Sequence, residues 1–149
     1  MVSGQGKSKA CFATLAERKT RFYIAMKMSD RRAETMENAI VAALSAFPPQ
    51  LVKTITCDRG TEFANWRRIE ERLHCEVYFA DPYCAWQKGT NENLNGLLRE
   101  FYPKGRNLSR VAPATLKRNL ALLNARPRKV LYFHSAQELW DFELNSCCT

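Results

Sequence analysis

The sequence is poor in the residues that mark unfolded, fibrous or membrane-embedded chains. Only six of its 149 residues are glycine and six are proline, which excludes low-complexity and collagen-like architectures. No apolar run approaches the ~18–20 residues that a transmembrane helix needs. Hydrophobic residues make up 46% of the chain, and a chain of this size buries roughly two thirds of its unfolded surface. We therefore predict a single domain over residues 1–149 and no membrane partner.

The cysteine spacing typical of zinc-binding motifs is missing as well. No pair of cysteines has the two-residue spacing of a zinc knuckle, and no leading signal sequence is evident. We interpret the cysteines as reduced thiols of a cytoplasmic protein. The six are Cys11, Cys57, Cys75, Cys84, Cys147 and Cys148.

Acidic residues are scarce relative to basic ones. The chain has 15 Asp and Glu against 23 Lys and Arg, which gives a net charge of +8 and a pI near 9.4. An excess of this size on one small domain favours a polyanionic partner, although a solvated basic surface is the plainer explanation. The placement of the charges has to decide between the two.

Apolar periodicity predicts strands and helices in alternation along the chain. Alternating or aromatic-rich apolar runs predict strands at residues 11–15, 22–28, 53–57 and 75–80, the first two as a β-hairpin. Helical spacing, capping signals and prolines predict helices at residues 33–47, 63–73, 88–101, from 113 onward and at 136–144. Residues 1–9 are interpreted as a disordered start or the remains of a strand and turn. This order predicts a mixed α/β domain.

The strand at residues 53–57 ends in an acid. Its alternation places Ile55 and Cys57 on one face and Asp58 on the other, at the carboxyl end where open α/β sheets bind ligands. Asp58 is therefore a candidate metal ligand, although a helix cap or turn residue is the alternative. Glu62 is a rival ligand, but an acid in the first turn of a helix usually serves the helix dipole.

A second acid lies in the helix at residues 88–101. One side of that helix carries Lys88, Glu92, Asn95 and Arg99 at i, i+4, i+7 and i+11. A carboxylate with such neighbours is a plausible metal ligand beside phosphate contacts, and an ordinary Lys–Glu surface pair is the alternative.

The 33 residues between Asp58 and Glu92 leave room for one helix, one strand and two loops. This connection can bring both carboxylates to one end of a sheet. Paired carboxylates suit hard cations such as Mg²⁺ or Mn²⁺, and two such ions about 3.5–4 Å apart support in-line displacement at phosphorus.

A basic run lies near the carboxyl end of the chain. Arg126, Arg128 and Lys129 alternate with Pro127 in an extended stretch. The run predicts either a solvated charge cluster or a contact with the DNA backbone.

Several motifs in one order carry a family resemblance. Residues 57–63 read CDRGTEF and residues 89–99 read GTNENLNGLLR, with blocks at 15–21, 101–105 and 124–129 beside them. Together, over residues 10–144, they resemble the DDE transposases of bacterial insertion sequences, family thirty. The resemblance implies a ribonuclease-H-like mixed sheet flanked by helices, as in retroviral integrases, here with its first strand largely missing.

The resemblance also implies roles for individual residues. Asp58 and Glu92 would be two of three ligands of a two-metal Mg²⁺ or Mn²⁺ site, and Lys88, Asn95 and Arg99 would position DNA. The family pattern places the first catalytic Asp at Met1 or just before it, and no acid precedes Glu17. The upstream helix-turn-helix domain of such transposases is also absent. Glu17 itself is interpreted as a solvated charge at a hairpin tip.

The implied function is the catalytic core of a transposase. It would cleave DNA at transposon ends and join them to a target, as a homo-oligomer in the nucleoid of the bacterial cytoplasm, with no small-molecule substrate. The alternative is an incomplete remnant that binds DNA non-specifically or pairs with intact transposase. A stand-alone nuclease is a third hypothesis, which the 33-residue spacer and the NENLNG block disfavour.

Overall fold

The computed structural model describes residues 2–3, 9–81 and 89–147. In these ranges the strands are β1 Val2–Ser3, β2 Cys11–Ala16, β3 Tyr23–Met28, β4 Thr54–Cys57 and β5 Glu76–Phe79. The α-helices are α1 Ala33–Leu44, α2 Trp66–Leu73, α3 Gly89–Phe101, α4 Pro113–Ala125 and α5 Ala136–Cys147. The predicted alternation of strands and helices is confirmed.

The strands form two ladders rather than one continuous sheet in the described part of the chain. Strands β1, β2 and β3 are antiparallel neighbours in that order, and β4 pairs in parallel with β5. The predicted hairpin is confirmed, with Cys11 opposite Met28 and Ala16 opposite Tyr23. Strand β1 pairs with only the first two residues of β2, so residues 13–16 of β2 have a described partner on one side alone.

Two hydrophobic cores lie on opposite faces of β2, because its side chains alternate between them. Phe12 packs with Leu98, Tyr102 and Leu123 from α3, α4 and the loop between them. Cys11 and other β2 residues pack on the second face. That second core also takes in Met36, Ile40, Ile55, Ile69 and Leu73 from α1, α2 and β4. The result is a three-layer arrangement of helices, strands and helices.

Helices α1 and α2 are joined by a buried carboxylate. Glu37 is 1% exposed and accepts hydrogen bonds from Asn65 Nδ2 and Arg72 Nη1, both at 2.9 Å. Arg68 Nε lies 3.3 Å from the same carboxylate. Burial alone would raise the pKa of Glu37, but the hydrogen bonds from Arg72 and Asn65 and the nearby guanidinium charges hold that pKa below its ordinary value. A burial that would otherwise be costly is compensated by these partners.

Two helix boundaries differ from the predicted ones for local reasons. Helix α1 ends at Leu44 instead of residue 47, and the chain then turns into Pro48. Helix α2 begins at Trp66 instead of residue 63, because Thr61–Phe63 forms a separate 3₁₀ turn. The capping box before α5 is confirmed: Glu138 accepts from the Ser135 amide at 2.7 Å, and Ser135 Oγ accepts from the Glu138 amide at 3.2 Å.

None of the described cysteines forms a disulfide; Cys11, Cys57 and Cys75 are buried and Cys147 is exposed. No helix in the described ranges combines the length and apolar character needed to cross a bilayer.

We predict that Glu37→Gln lowers the free energy of unfolding by about 1–3 kcal/mol near neutral pH, because the charge-assisted hydrogen bond from Arg72 and the ion pair with Arg68 are lost. Since the folded pKa of Glu37 lies below its ordinary value of 4.5, this stabilisation is fully present above that pH. It disappears as the pH falls through the folded pKa. Urea unfolding of both proteins at a series of pH values measures the difference.

The matched control is Glu34→Gln, because Glu34 is exposed on the same helix. Its effect should stay within about 0.5 kcal/mol. Equal effects of the two substitutions at neutral pH would contradict the role assigned to Glu37.

Candidate active site

A cavity of about 610 Å³ separates β2 from β4. Its walls come from both ladders, from α1 and from the first turn of α3. They include Thr14, Leu15, Ala16, Glu17, Thr54, Thr56, Asp58, Glu62, Thr90, Asn91 and Trp140. The two ladders therefore face each other across one hollow.

Asp58 lies at the mouth of this cavity, directly after β4. Burial alternates along β4 as predicted, with Ile55 and Cys57 buried and Asp58 exposed. Glu92 is exposed in the first turn of α3. Its neighbours Thr90 and Asn91 line the same cavity as Asp58. The structure thus places Asp58 and two residues of the turn that carries Glu92 on one cavity, and Glu92 itself is not among the residues that line it.

Two contacts fasten the first turn of α3 to the hairpin. Thr14 Oγ1 donates to Asn91 Oδ1 at 3.4 Å, and the Arg21 guanidinium donates to Thr90 Oγ1. Because β2 and the hairpin tip each hold one of the two residues that precede Glu92, these contacts fix the start of α3 relative to the hairpin.

The predicted DNA-contacting residues of α3 have partners within the fold. The buried Tyr23 hydroxyl donates to Asn95 Oδ1 at 2.7 Å, and burial raises the pKa of Tyr23 despite the nearby Arg99 charge. Arg99 is half-buried, with Nη1 3.5 Å from the Tyr102 carbonyl oxygen. Lys88 lies outside the described residues.

The basic run near the carboxyl end does not form one continuous surface. Arg128 turns inward and donates to the carbonyls of Arg21 at 3.1 Å and Leu123 at 3.0 Å. Burial, together with the charges of Arg126 and Arg21, lowers the pKa of Arg128. Arg126 pairs with Glu100 at 3.0 Å, and Lys129 is exposed.

Two other acids line the cavity. Glu17 accepts the Lys19 amide at 3.0 Å and both the amide and the hydroxyl of Thr20 at 2.5 and 2.6 Å. Burial opposes its ionisation, but these hydrogen bonds hold the pKa of Glu17 below its usual value. Glu17 therefore closes the hairpin turn. Glu62 is half-buried, and its carboxylate folds back so closely over Gly60 that a Cβ at that position would overlap it.

The site matches a hard divalent cation in donor type but not in donor number. Asp58 and Glu92 offer the oxygen ligands that Mg²⁺ and Mn²⁺ take, and both are open to solvent. Among the described residues, no three His, Cys, Asp or Glu side chains are grouped closely enough to hold a metal ion. A complete site needs a further ligand.

Sequence reasoning missed several residues of the cavity wall. Thr90 and Asn91 directly precede Glu92 in the chain, so the motif could have predicted that they lie near the candidate site. Trp140 had no such signal. It reaches the cavity from α5 by stacking on Phe22, with ring centroids 5.1 Å apart.

The layered fold can be compared with solved structures, and the comparison identifies its class. The catalytic core domain of BIV integrase matches it with a TM-score of 0.70 at 16% identity, over 99% of this chain and 94% of that one. A simian T-cell lymphotropic virus intasome structure matches with a TM-score of 0.57, over 83% of this chain. The fold is that of an integrase catalytic core, which confirms the predicted ribonuclease-H-like class.

The sequence identifies the family. Residues 1–85 match the integrase core domain, and the chain belongs to this family. It is 36% identical over 141 residues to the probable transposase of insertion-like sequence element IS1161 from Streptococcus salivarius. It is 37% identical over 139 residues to the transposase InsI of insertion sequence element IS30C from Escherichia coli strain K12. These alignments cover 95% and 93% of this chain but only 40% and 36% of the two relatives.

We predict that Asn95→Ala lowers the free energy of unfolding by about 1–3 kcal/mol, because it leaves the buried Tyr23 hydroxyl without its acceptor. In a Tyr23→Phe background, Asn95→Ala should lower the free energy of unfolding by a smaller amount, with a difference of at least about 0.5 kcal/mol, since the two residues interact directly. Chemical denaturation of the four proteins of this cycle measures the coupling.

The control is Asn93→Ala, because Asn93 is exposed on the same helix. It should leave stability unchanged. Wild-type stability of Asn95→Ala would contradict the internal role and leave DNA contact as the only assignment for Asn95.

Proposed function

We propose that this chain is the catalytic core of an insertion-sequence transposase, which cleaves DNA at transposon ends and joins the freed 3′ hydroxyl to a target strand. One observation carries the proposal. Asp58, at the carboxyl end of β4, shares a cavity with the α3 turn that carries Glu92, in a chain whose relatives are transposases.

Asp58 and Glu92 would hold Mg²⁺ or Mn²⁺. Such ions activate an attacking oxygen and stabilise a leaving one at phosphorus. The task of the protein is then to hold two acids that repel one another at one sheet edge. The contacts of Thr14 with Asn91 and of Arg21 with Thr90 do so on the α3 side, and the β4–β5 ladder does so on the Asp58 side.

The register of β1 supports a place for the third acid of the proposed site. Val2 pairs with Phe12, and Ser3 with Cys11. In a longer chain that continued this antiparallel ladder, the residue directly before Met1 would lie opposite Thr14. Residues opposite each other on a ladder share a face, and the Thr14 side chain reaches Asn91 beside Glu92. An Asp at that position would complete the set of ligands.

DNA would cross the face that holds the acids. Asn95 and Arg99 follow Glu92 along one side of α3, Lys88 precedes Glu92 in the sequence, and Arg126, Arg128 and Lys129 lie further along the chain. Of the latter three, Lys129 and Arg126 are exposed, so they are the stronger candidates for phosphate contact. Assembly with further copies of the protein on transposon ends, in the nucleoid of the bacterial cytoplasm, is part of the same proposal.

A second candidate function is a DNA-binding module without catalysis. It is favoured by one observation, the lack of a third close acid among the described residues. The net charge of +8 would support non-specific binding in this case also.

We predict that Mn²⁺-dependent nicking of supercoiled plasmid requires both acids. Each acid contributes several kcal/mol of transition-state stabilisation through the metal ions, so Asp58→Asn and Glu92→Gln should each reduce the nicking rate by about 100-fold or more. The proteins to compare are this chain, a version extended upstream by a short segment with Asp directly before Met1, and both acid variants in each.

Nicking by the extended chain that disappears in both variants would support the catalytic proposal. Nicking only by the extended chain would identify the present chain as a binding module until the third acid is supplied. Undiminished nicking in either acid variant would overturn the assignment of that acid, and a Glu71→Gln variant, changed at an exposed acid of α2, should behave as the parent does.

We also predict that Lys129→Gln weakens duplex binding uniformly across sequences. It should reduce the slope of log affinity against log salt by about 1, since one phosphate contact releases about one counterion. Fluorescence anisotropy over a range of salt concentrations measures this slope. Lys117→Gln is a matched control, because Lys117 is an exposed lysine of α4 that does not line the candidate active site, and an equal loss of slope in both variants would contradict a specific path for DNA over Lys129.

A further inference from the structure

A second, open hollow of about 350 Å³ begins at Arg59, the residue after Asp58. Its lining residues are Arg59, Gly60, Phe63, Ala64, Trp66 and Phe79. Phe63 lines both cavities, so this aromatic pocket borders directly on the candidate active site.

Three aromatic side chains from three separate elements wall the pocket. Phe63 belongs to the 3₁₀ turn after Asp58, Trp66 begins α2, and Phe79 ends β5. The rings of Trp66 and Phe79 meet edge to face, with centroids 5.9 Å apart and planes at 90°. All three side chains remain half-exposed. Phe63 also packs against the second core. Part of the apolar surface of these rings is open to solvent beside a polar site, where burial against a ligand would be favourable.

The rim of the pocket is cationic. Arg59 and Arg67 are exposed, and the guanidinium of Arg67 lies over the Trp66 ring, 5.2 Å from its centroid. No acidic side chain is among the residues that line the pocket, but the Glu62 carboxylate folds over Gly60, which is one of them. The neighbouring Arg68 differs, because it is engaged with the buried Glu37.

We propose that this aromatic pocket binds a nucleobase from the DNA strand that passes Asp58, with Arg59 and Arg67 on the adjacent phosphates. Every nucleobase has a π-face that stacks on an aromatic ring, and its phosphate supplies the anion that the rim matches. An apolar peptide would pack on the aromatic walls but would carry no negative charge to pair with Arg59 and Arg67. A free anion would use the rim and leave the walls unmatched. The inference rests on the proposed function, because it takes DNA as the ligand of this face.

The position of the pocket suggests what it would do for the reaction. Cys57 is paired with Phe79 across the β4–β5 ladder, and Asp58 follows Cys57 directly. A base held against Phe79 and Trp66 would therefore fix the register of the strand relative to Asp58. Trp66 and Phe79 are positioning residues in this proposal, since they touch the base and not the reacting phosphate.

The test compares two fluorescein-labelled single-stranded oligonucleotides of equal length, one with all its bases and one with abasic sites at its central positions. Both carry the same phosphates, so the ratio of their affinities isolates the contribution of the bases. Anisotropy measured in EDTA excludes cleavage. We expect the intact strand to bind this chain about ten-fold tighter, as one stacked base contributes.

Trp66→Leu should abolish that ratio and leave the affinity for the abasic strand unchanged. Trp66→Phe, which keeps an aromatic face, should retain most of the ratio. Arg59→Gln and Arg67→Gln should lower the affinity for the intact and the abasic oligonucleotide by the same factor. Tyr78→Leu is the matched control, because Tyr78 is an exposed aromatic residue on β5 next to Phe79 and does not line the pocket.

The inference is overturned if Trp66→Leu keeps the ratio, if Tyr78→Leu removes it as well, or if intact and abasic strands bind the parent chain equally. Circular dichroism of each variant, together with the conservative Trp66→Phe, separates loss of the pocket from loss of the fold. The binding assay is run in EDTA, so its result does not depend on catalysis. Base-dependent binding without any nicking activity in the plasmid assay would therefore leave this inference standing and remove the catalytic proposal. Nicking without base dependence would do the reverse.

Discussion

The burial of β2 on both of its faces is the constraint on which the rest of the structure depends. Residues 11–14 are all buried, so their alternating side chains need cover from two sides. Helices α3 and α4 cover one side and α1 covers the other. The first turn of α3 is consequently held over the end of β2, where Thr14 meets Asn91. The candidate site is a consequence of this layering, because the same packing that buries Phe12 also places Glu92.

Some of the basic side chains of the chain are used inside the fold. Arg68 and Arg72 pair with the buried Glu37, and Arg128 is committed to two backbone carbonyls. The net charge of +8 therefore does not by itself show which basic side chains face a polyanion. The arginines that remain exposed near the acids, Arg59 and Arg67, are few enough that position matters more for DNA binding than total charge.

Local chemistry made several features predictable from sequence. The hairpin follows from two apolar runs about a charged turn, and the capping box of Ser135 and Glu138 needs only residues three apart. The alternation in β4 likewise placed Asp58 on the open face. In each case the deciding interactions lie within a few residues of one another, so the sequence pattern contains them.

Features that depend on distant partners were not predictable in the same way. The orientation of Arg128 depends on the carbonyl of Arg21, a residue 107 positions away. Asn95 has the same helical phase as Glu92, which suggested a role towards DNA, yet its amide oxygen meets the hydroxyl of Tyr23, 72 positions away. The contact between the rings of Trp66 and Phe79 could not be predicted either. Nothing in the sequence pattern of α2 shows which strand this helix packs against.

The proposed metal site and the pairing of the two ladders are linked in this fold. Residues 13–16 of β2 and the residues of β4 line opposite walls of one cavity, and in the described part of the chain each ladder lacks a partner on the side that faces the other. Strand edges left unpaired carry unsatisfied backbone groups. A strand that continued β1 in its present register would pair with the open backbone groups of β2. It would also place a side chain beside Asn91. Metal affinity and sheet stability should therefore rise together whenever that position is filled, because both follow from the same backbone pairing.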